Sequence, residues 1–160
     1  MKLIAAVSEN WGIGKDKRLL FNIPGDMKFF REKTMGKTVI LGRKNLESFP
    51  GGKPLRNRIN IVLTRDKSFC RDGITTVNSI DALLKLDCVD ENAFVIGGES
   101  VYRQLLDYCD LCYITKVHEF AESDKFMVNL DESDDWELLS ETEKMEDNGH
   151  IISFCVYKRR

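Results

Sequence analysis

Stretches of nearly unbroken apolar residues, many of them β-branched, recur along the chain with polar or helix-forming segments between them: LIAAV at 3–7, TVIL at 38–41, INIVLT at 59–64, AFVI at 93–96 and LCYITKV at 111–117. Strands this continuous have no polar face to turn to water, so they belong in a sheet covered on both sides. Alternation with helices makes that sheet mainly parallel. A weaker strand, ITTV, lies at 74–77. Two long segments, 136–144 and 151–158, flank Glu146-Asp147-Asn148-Gly149. The Asn-Gly pair makes them an antiparallel hairpin, so the sheet is mixed.

Helices are expected after Pro24 to near Gly36, around 44–48, over 80–86 with Ser79 as N-cap, and over 99–108. The polar, two-glycine stretch SENWGIGKDK at 8–17 reads as a long mobile loop, and 119–135 as an acidic one. With 160 residues and no repeat or composition break, one domain spanning 1–160 is expected.

Composition excludes several functions. A net charge of -2 offers no general attraction to nucleic acid or membrane. Five cysteines at irregular spacing argue against a disulfide framework and for a reducing compartment. The opening MKLIAAVSEN holds only five apolar residues in a row, too few for a signal-peptide core or membrane span, so a cytoplasmic protein is expected. His118 and His150 stand alone, Cys109-Asp110-Leu111-Cys112 has no second pair, and neither GxSxG nor a P-loop occurs. No metal is expected.

Two strand ends suit a phosphate-bearing ligand. Gly97-Gly98 follows AFVI and opens a helix, where free amides and the helix dipole favour an anion. The alternative is a tight turn and nothing more, and the third glycine of a GxGxxG is missing. Gly42-Arg43-Lys44-Asn45 and Thr64-Arg65 end two further strands with three cations, which suit a phosphate monoester or are simply solvated. Together they make a phosphorylated dinucleotide plausible. In FNIPGDMKFF, at 21–30, one acid, Asp26, sits among Ile23, Met27, Phe29 and Phe30. Either it favours the helix start through the dipole or it anchors a ligand in an apolar setting that raises its pKa.

These segments, taken in order, strongly resemble dihydrofolate reductase over nearly the whole chain: LIAAV with NWGIGKD, LLFNIPGDMKFF, TVILGRKNLESFP, PLRNRINIVLTR, AFVIGGESVYRQLL, CYITKV and the closing hairpin. The resemblance implies an α/β fold with a central eight-stranded, mostly parallel mixed sheet, a C-terminal antiparallel hairpin and four flanking helices. It implies NADPH-dependent reduction of 7,8-dihydrofolate to 5,6,7,8-tetrahydrofolate by a monomer that antifolate inhibitors would also bind. Asp26 matches the family's pterin-anchoring acid and Thr115 the hydroxyl supporting it. Ile4, Ala6, Met27, Phe30, Phe49, Leu55 and Ile96 match pocket-lining positions, and Arg58 the arginine that grips the substrate's α-carboxylate.

On the cofactor side, Gly97, Gly98, Glu99, Ser100 and Val101 resemble the pyrophosphate turn. Gly42, Arg43, Lys44, Asn45, Leu63, Thr64 and Arg65 resemble the adenosine and 2′-phosphate set, with Ala6, Ile96 and Tyr102 near the nicotinamide. The segment 9–21 resembles the lid, with Leu19 at its tip and the Ile13 and Gly14 backbones meeting the carboxamide. The resemblance implies that Asp26 favours protonation at pterin N5, with a water under the lid as donor. Three departures stand out: Phe21 where tryptophan is usual, Asn45 where threonine is common, and Lys125-Phe126-Met127-Val128 after Asp124 without the usual threonine or proline. Two rivals are a same-fold NADPH-dependent reductase of riboflavin synthesis, which would not pair Asp26 with Arg58, and a pterin-binding protein without turnover.

Overall fold

The computed structural model describes residues 1–160. Its central sheet is built from β1 (Lys2–Val7), β4 (Thr38–Gly42), β5 (Ile59–Leu63), β6 (Ile74–Val77), β7 (Phe94–Gly97), β8 (Leu111–Val117), β10 (Trp136–Glu141) and β12 (His150–Arg159). They lie in the order β10-β12-β8-β1-β7-β4-β5-β6, and short β11 (Met145–Asp147) also pairs with β12. From β8 to β6 every pairing is parallel. The hairpin adds the antiparallel strands. It is broken where the sequence suggested one long segment, because a bulge between Leu138 and Ser140 shifts the register and β10 stops at Glu141.

Alternate side chains of the strands enter opposite faces. Leu3, Val7, Ile40, Ile61 and Val95 pack toward α3 (Ile80–Leu84) and α4 (Glu99–Leu105), together with Leu83, Val101 and Leu105. Ile4, Val39, Leu41, Val62 and Phe94 pack on the other face with Phe29 and Phe30 of α1 (Pro24–Thr34) and Leu46 of α2 (Arg43–Ser48). Each fully buried Leu or Ile contributes roughly 1.5–3 kcal/mol, which is why runs with no polar alternation specify this layered arrangement. Ser79 caps α3 as its position suggests, its Oγ accepting from Ala82 N at 3.0 Å. The helix anticipated over 99–108 is α-helical to Leu105 and tightens into a 3-10 turn from Leu106 to Tyr108.

The segment anticipated as a long loop near the N-terminus is partly ordered into strands. Gly12–Lys15 (β2) pairs with Arg18–Leu19 (β3) and with Lys125–Phe126 (β9) in a separate antiparallel sheet. Asp124 fastens it: its N–H donates to the Gly14 carbonyl and its Oδ2 accepts from Asp16 N, both at 3.0 Å. Met127 N donates to the Trp11 carbonyl at 2.9 Å, and its side chain is buried. Backbone pairing therefore holds this small sheet to the acidic loop without the threonine or proline absent there.

Candidate functional site

The parallel register lines up carboxyl ends along one edge of the sheet, the place where open α/β sheets bind ligands. Ala6 of β1 lies beside Thr115 of β8, Leu41 of β4 beside Gly97 of β7, and Gly42 beside Leu63 of β5. The Gly42 and Thr64 ends, distant in sequence, are thus neighbours.

On the β8–β1 side stands Asp26, in the first turn of α1. Pro24 occupies the start of that helix, where its missing N–H costs nothing. Thr115, almost wholly buried, donates its hydroxyl to Asp26 Oδ1 at 2.6 Å. Burial pushes the Asp26 pKa up, the Thr115 hydrogen bond opposes that shift, and the nearby Asp147 carboxylate adds to it. A half-buried acid in this condition gains most from a ligand that brings its own N–H donors or a proton.

Ile4, Phe30, Phe49, Leu55 and Ile96 belong to one apolar cluster, so five of the proposed pocket residues come together from four separate parts of the chain. Met27 in α1 is 59% exposed, and Leu19 at the end of β3 is 82% exposed. Neither is held in place by packing. Arg58 is steered by Thr34 Oγ1, which accepts from its Nε at 3.2 Å, and by the Arg56 carbonyl, 2.9 Å from Nη1. Burial and the neighbouring Arg31 lower its pKa, a setting that favours a carboxylate partner.

Sequence reasoning missed the residue that shapes this corner, Asn60. Its side chain accepts from Leu55 N at 3.0 Å and donates to the carbonyls of Leu55 at 2.9 Å and Arg58 at 3.2 Å. A buried amide inside the apolar run INIVLT was the available signal, since buried polar groups are kept only when paired.

The β7–β4–β5 side is lined with backbone. Gly97 has φ +119 and presses against the Tyr102 ring, where a Cβ would stand 3.3 Å from ring carbons. Only glycine accepts that conformation. A Cβ on Gly42 would come 3.2 Å from Val101 Cγ2, and a Cβ on Gly98 would meet nothing, so the turn stays open above Gly98. Tyr102 is buried, with its hydroxyl donating to the Ile4 carbonyl at 2.7 Å, and it joins the two halves of the edge. Glu99 and Ser100 begin α4; their side chains accept from Arg103 at 3.4 Å and Gln104 at 3.0 Å.

Arg43 is paired with Glu47 at 3.3 Å, an exposed helical pair worth little, while Lys44 and Arg65 are exposed. Asn45 Nδ2 points to the Ile96 carbonyl at 3.4 Å. The cradle and its cations fit a dinucleotide carrying an extra phosphate. Ile13 sits half-buried in β2, whereas the Gly14 carbonyl is taken by Asp124.

Residues outside this edge have other occupations. Cys109 and Cys112 are buried thiols, with Cys109 pushed by burial up to about 12. A separate cavity of about 170 Å3 lined by Trp11, Lys116, His118 and Asp131 contains none of the residues named for the edge.

A half-buried acid and a glycine-lined turn on one edge of an α/β sheet fit the class of nucleotide-dependent enzymes that act on a small substrate. More narrowly, the chain belongs to the dihydrofolate reductase family, whose model, described as dihydrofolate reductase, matches residues 1–159. It is 37% identical over 162 residues to a dihydrofolate reductase of Bacillus subtilis (strain 168), covering 100% of this chain and 95% of that one. It is also 37% identical over 163 residues to one from Staphylococcus haemolyticus, covering 99% and 95%. A solved dihydrofolate reductase from Enterococcus faecalis, complexed with NADP(H) and RAB-propyl, is 33% identical with a TM-score of 0.88, over 99% of this chain and 95% of that chain.

Proposed function

We propose that this chain reduces 7,8-dihydrofolate to 5,6,7,8-tetrahydrofolate using NADPH, with Asp26 as the residue that holds the pterin. The pairing of Asp26 with Thr115 in the apolar cleft carries this reading. Thr115 occupies one lone pair of Oδ1, which fixes the carboxylate plane and leaves Oδ2 for the amino-pyrimidine edge. Each charge-assisted hydrogen bond so formed contributes about 1.5–3 kcal/mol.

Phe30, Phe49 and Leu55 exclude water from the ring and the benzoyl group, while Arg58 meets the α-carboxylate with two parallel N–H donors. Gly97, Gly98 and the start of α4 hold the cofactor pyrophosphate; Arg43, Lys44, Thr64 and Arg65 hold the adenosine end and its 2′-phosphate. NADPH, when bound, supplies the hydride that the pterin accepts at C6. The protein contributes orientation, a lid made by β2 and β3, and a carboxylate that favours proton uptake at N5. That proton reaches N5 from water beneath the lid, which here has no indole N–H to hold it because Phe21 stands where tryptophan is usual.

The reading extends to a cytoplasmic monomer. Five free thiols suit a reducing compartment. No helix is long and apolar enough to cross a membrane.

Following absorbance of the reduced nicotinamide with dihydrofolate present and withheld tests the assignment. Oxidation that requires dihydrofolate is the expected outcome. Oxidation supported only by a ribosylated pyrimidine would favour the riboflavin-type reductase, and tight dihydrofolate binding without oxidation would favour a binding protein.

A further inference from the structure

The start of α1 is left open by its own sequence. Ile23 is the N-cap and offers no side-chain acceptor; Pro24 has no N–H and Asp26 N donates to the Ile23 carbonyl at 3.0 Å, so the Gly25 N–H is the one that needs a partner from elsewhere. One arrives from more than a hundred residues away: Asp147, which ends β11, accepts from Gly25 N at 2.7 Å through Oδ2. The approach is so close that a Cβ on Gly25 would collide with the carboxylate.

The same turn grips the segment twice more. Asn148 Nδ2 donates to the Asn22 carbonyl at 2.6 Å. His150 packs edge-on against the Phe21 ring with centroids 5.3 Å apart, its Nδ1 lying 2.6 Å from Glu119 Oε1. Phe21, Asn22 and Gly25 are thus held by the hairpin immediately before Asp26.

We propose that Asp147 is a positioning residue for the reaction, holding the entrance of α1 through Gly25 and placing a second negative charge behind Asp26. This rests on Asp26 being the pterin anchor. The groups around Asp26 support it: the sheet offers the Thr115 hydroxyl and the buried Tyr102 phenol, and the hairpin offers Asp147. Of these only Asp147 is a second carboxyl group, and its charge makes Asp26 easier to protonate.

Asp147→Asn separates the two parts of the role, since its amide oxygen still accepts from Gly25 N–H while the charge is gone. Carboxyl-carbon NMR of the ligand-free protein should show Asp26 titrating at lower pH in Asp147→Asn than in the wild type. In kinetics, kcat/KM for dihydrofolate should be about threefold lower on the alkaline limb and unchanged on the acid plateau. Asp147→Ala should show the same displaced limb with a Tm several degrees lower, from the lost cap.

An Asp26 titration unmoved in both variants, whatever their Tm, would reduce Asp147 to a helix cap and overturn the proposal. The NMR result does not depend on turnover. A wild type that fails to oxidise NADPH with dihydrofolate therefore counts against the functional reading, and an unmoved Asp26 counts against this one.

Discussion

Asp26→Asn lowers turnover by about 10²–10⁴-fold, the span expected when acid–base assistance is removed from a positioned site. The amide keeps the shape of the side chain and most of its packing. It turns one of two acceptors into a donor that faces the donors of the pterin edge, and it removes the charge that favours proton uptake. At low pH, where the substrate is protonated in solution, the deficit narrows. Thr115 would keep its partner through the amide oxygen, so the loss is chemical rather than conformational.

The same substitution should stabilise the ligand-free protein near neutral pH. Burial raises the Asp26 pKa in the folded state, so folding takes up a proton between the unfolded and folded values. The stability this contributes is fully present below the unfolded pKa and is lost as pH rises through the folded one. Asn at 26 carries no such loss, so its Tm should exceed that of the wild type by on the order of 2 °C near neutrality, with the gap closing on acidification. Thermal unfolding across pH reads this directly.

Replacing Arg43 and Arg65 together raises KM for NADPH by about 10²-fold and leaves KM for NADH nearly unchanged, since two charge-assisted contacts to one phosphate are lost. Both stand at neighbouring strand ends, because Gly42 pairs with Leu63 in the β4–β5 register. Arg43 already has Glu47, but an exposed pair of that kind exchanges readily for a doubly charged phosphate. Steady-state kinetics with both nucleotides measure the ratio. Equal effects on the two would remove these arginines from the 2′-phosphate.

Much of this was legible in the chain because the five apolar runs are buried on both faces, a pattern that admits few other arrangements. The residues that close these runs placed Gly42, Thr64 and Gly97 at strand ends, whereas Thr115, inside its strand, came only from the family resemblance. The small sheet of β2, β3 and β9 was not legible: strands of two to four residues have no period to read, and their partner is a remote acidic loop. Asn60 was hidden in an apolar run. Asp147 was recognised only as part of a turn, because its partner Gly25 is set by tertiary packing. The bulge between Leu138 and Ser140 had no sequence signal either, since no turn residue marks it.

In the proposed reaction Asp26 is the carboxylate that accepts the N–H donors of the amino-pyrimidine edge and favours a protonated ring there. The most direct test is the protonation state of a bound diaminopyrimidine antifolate, followed by nitrogen NMR across pH in the wild type and in Asp26→Asn. The ring nitrogen should stay protonated well above its solution pKa when bound to the wild type and lose that proton in Asp26→Asn. A ring equally protonated in both proteins would contradict the assignment of Asp26.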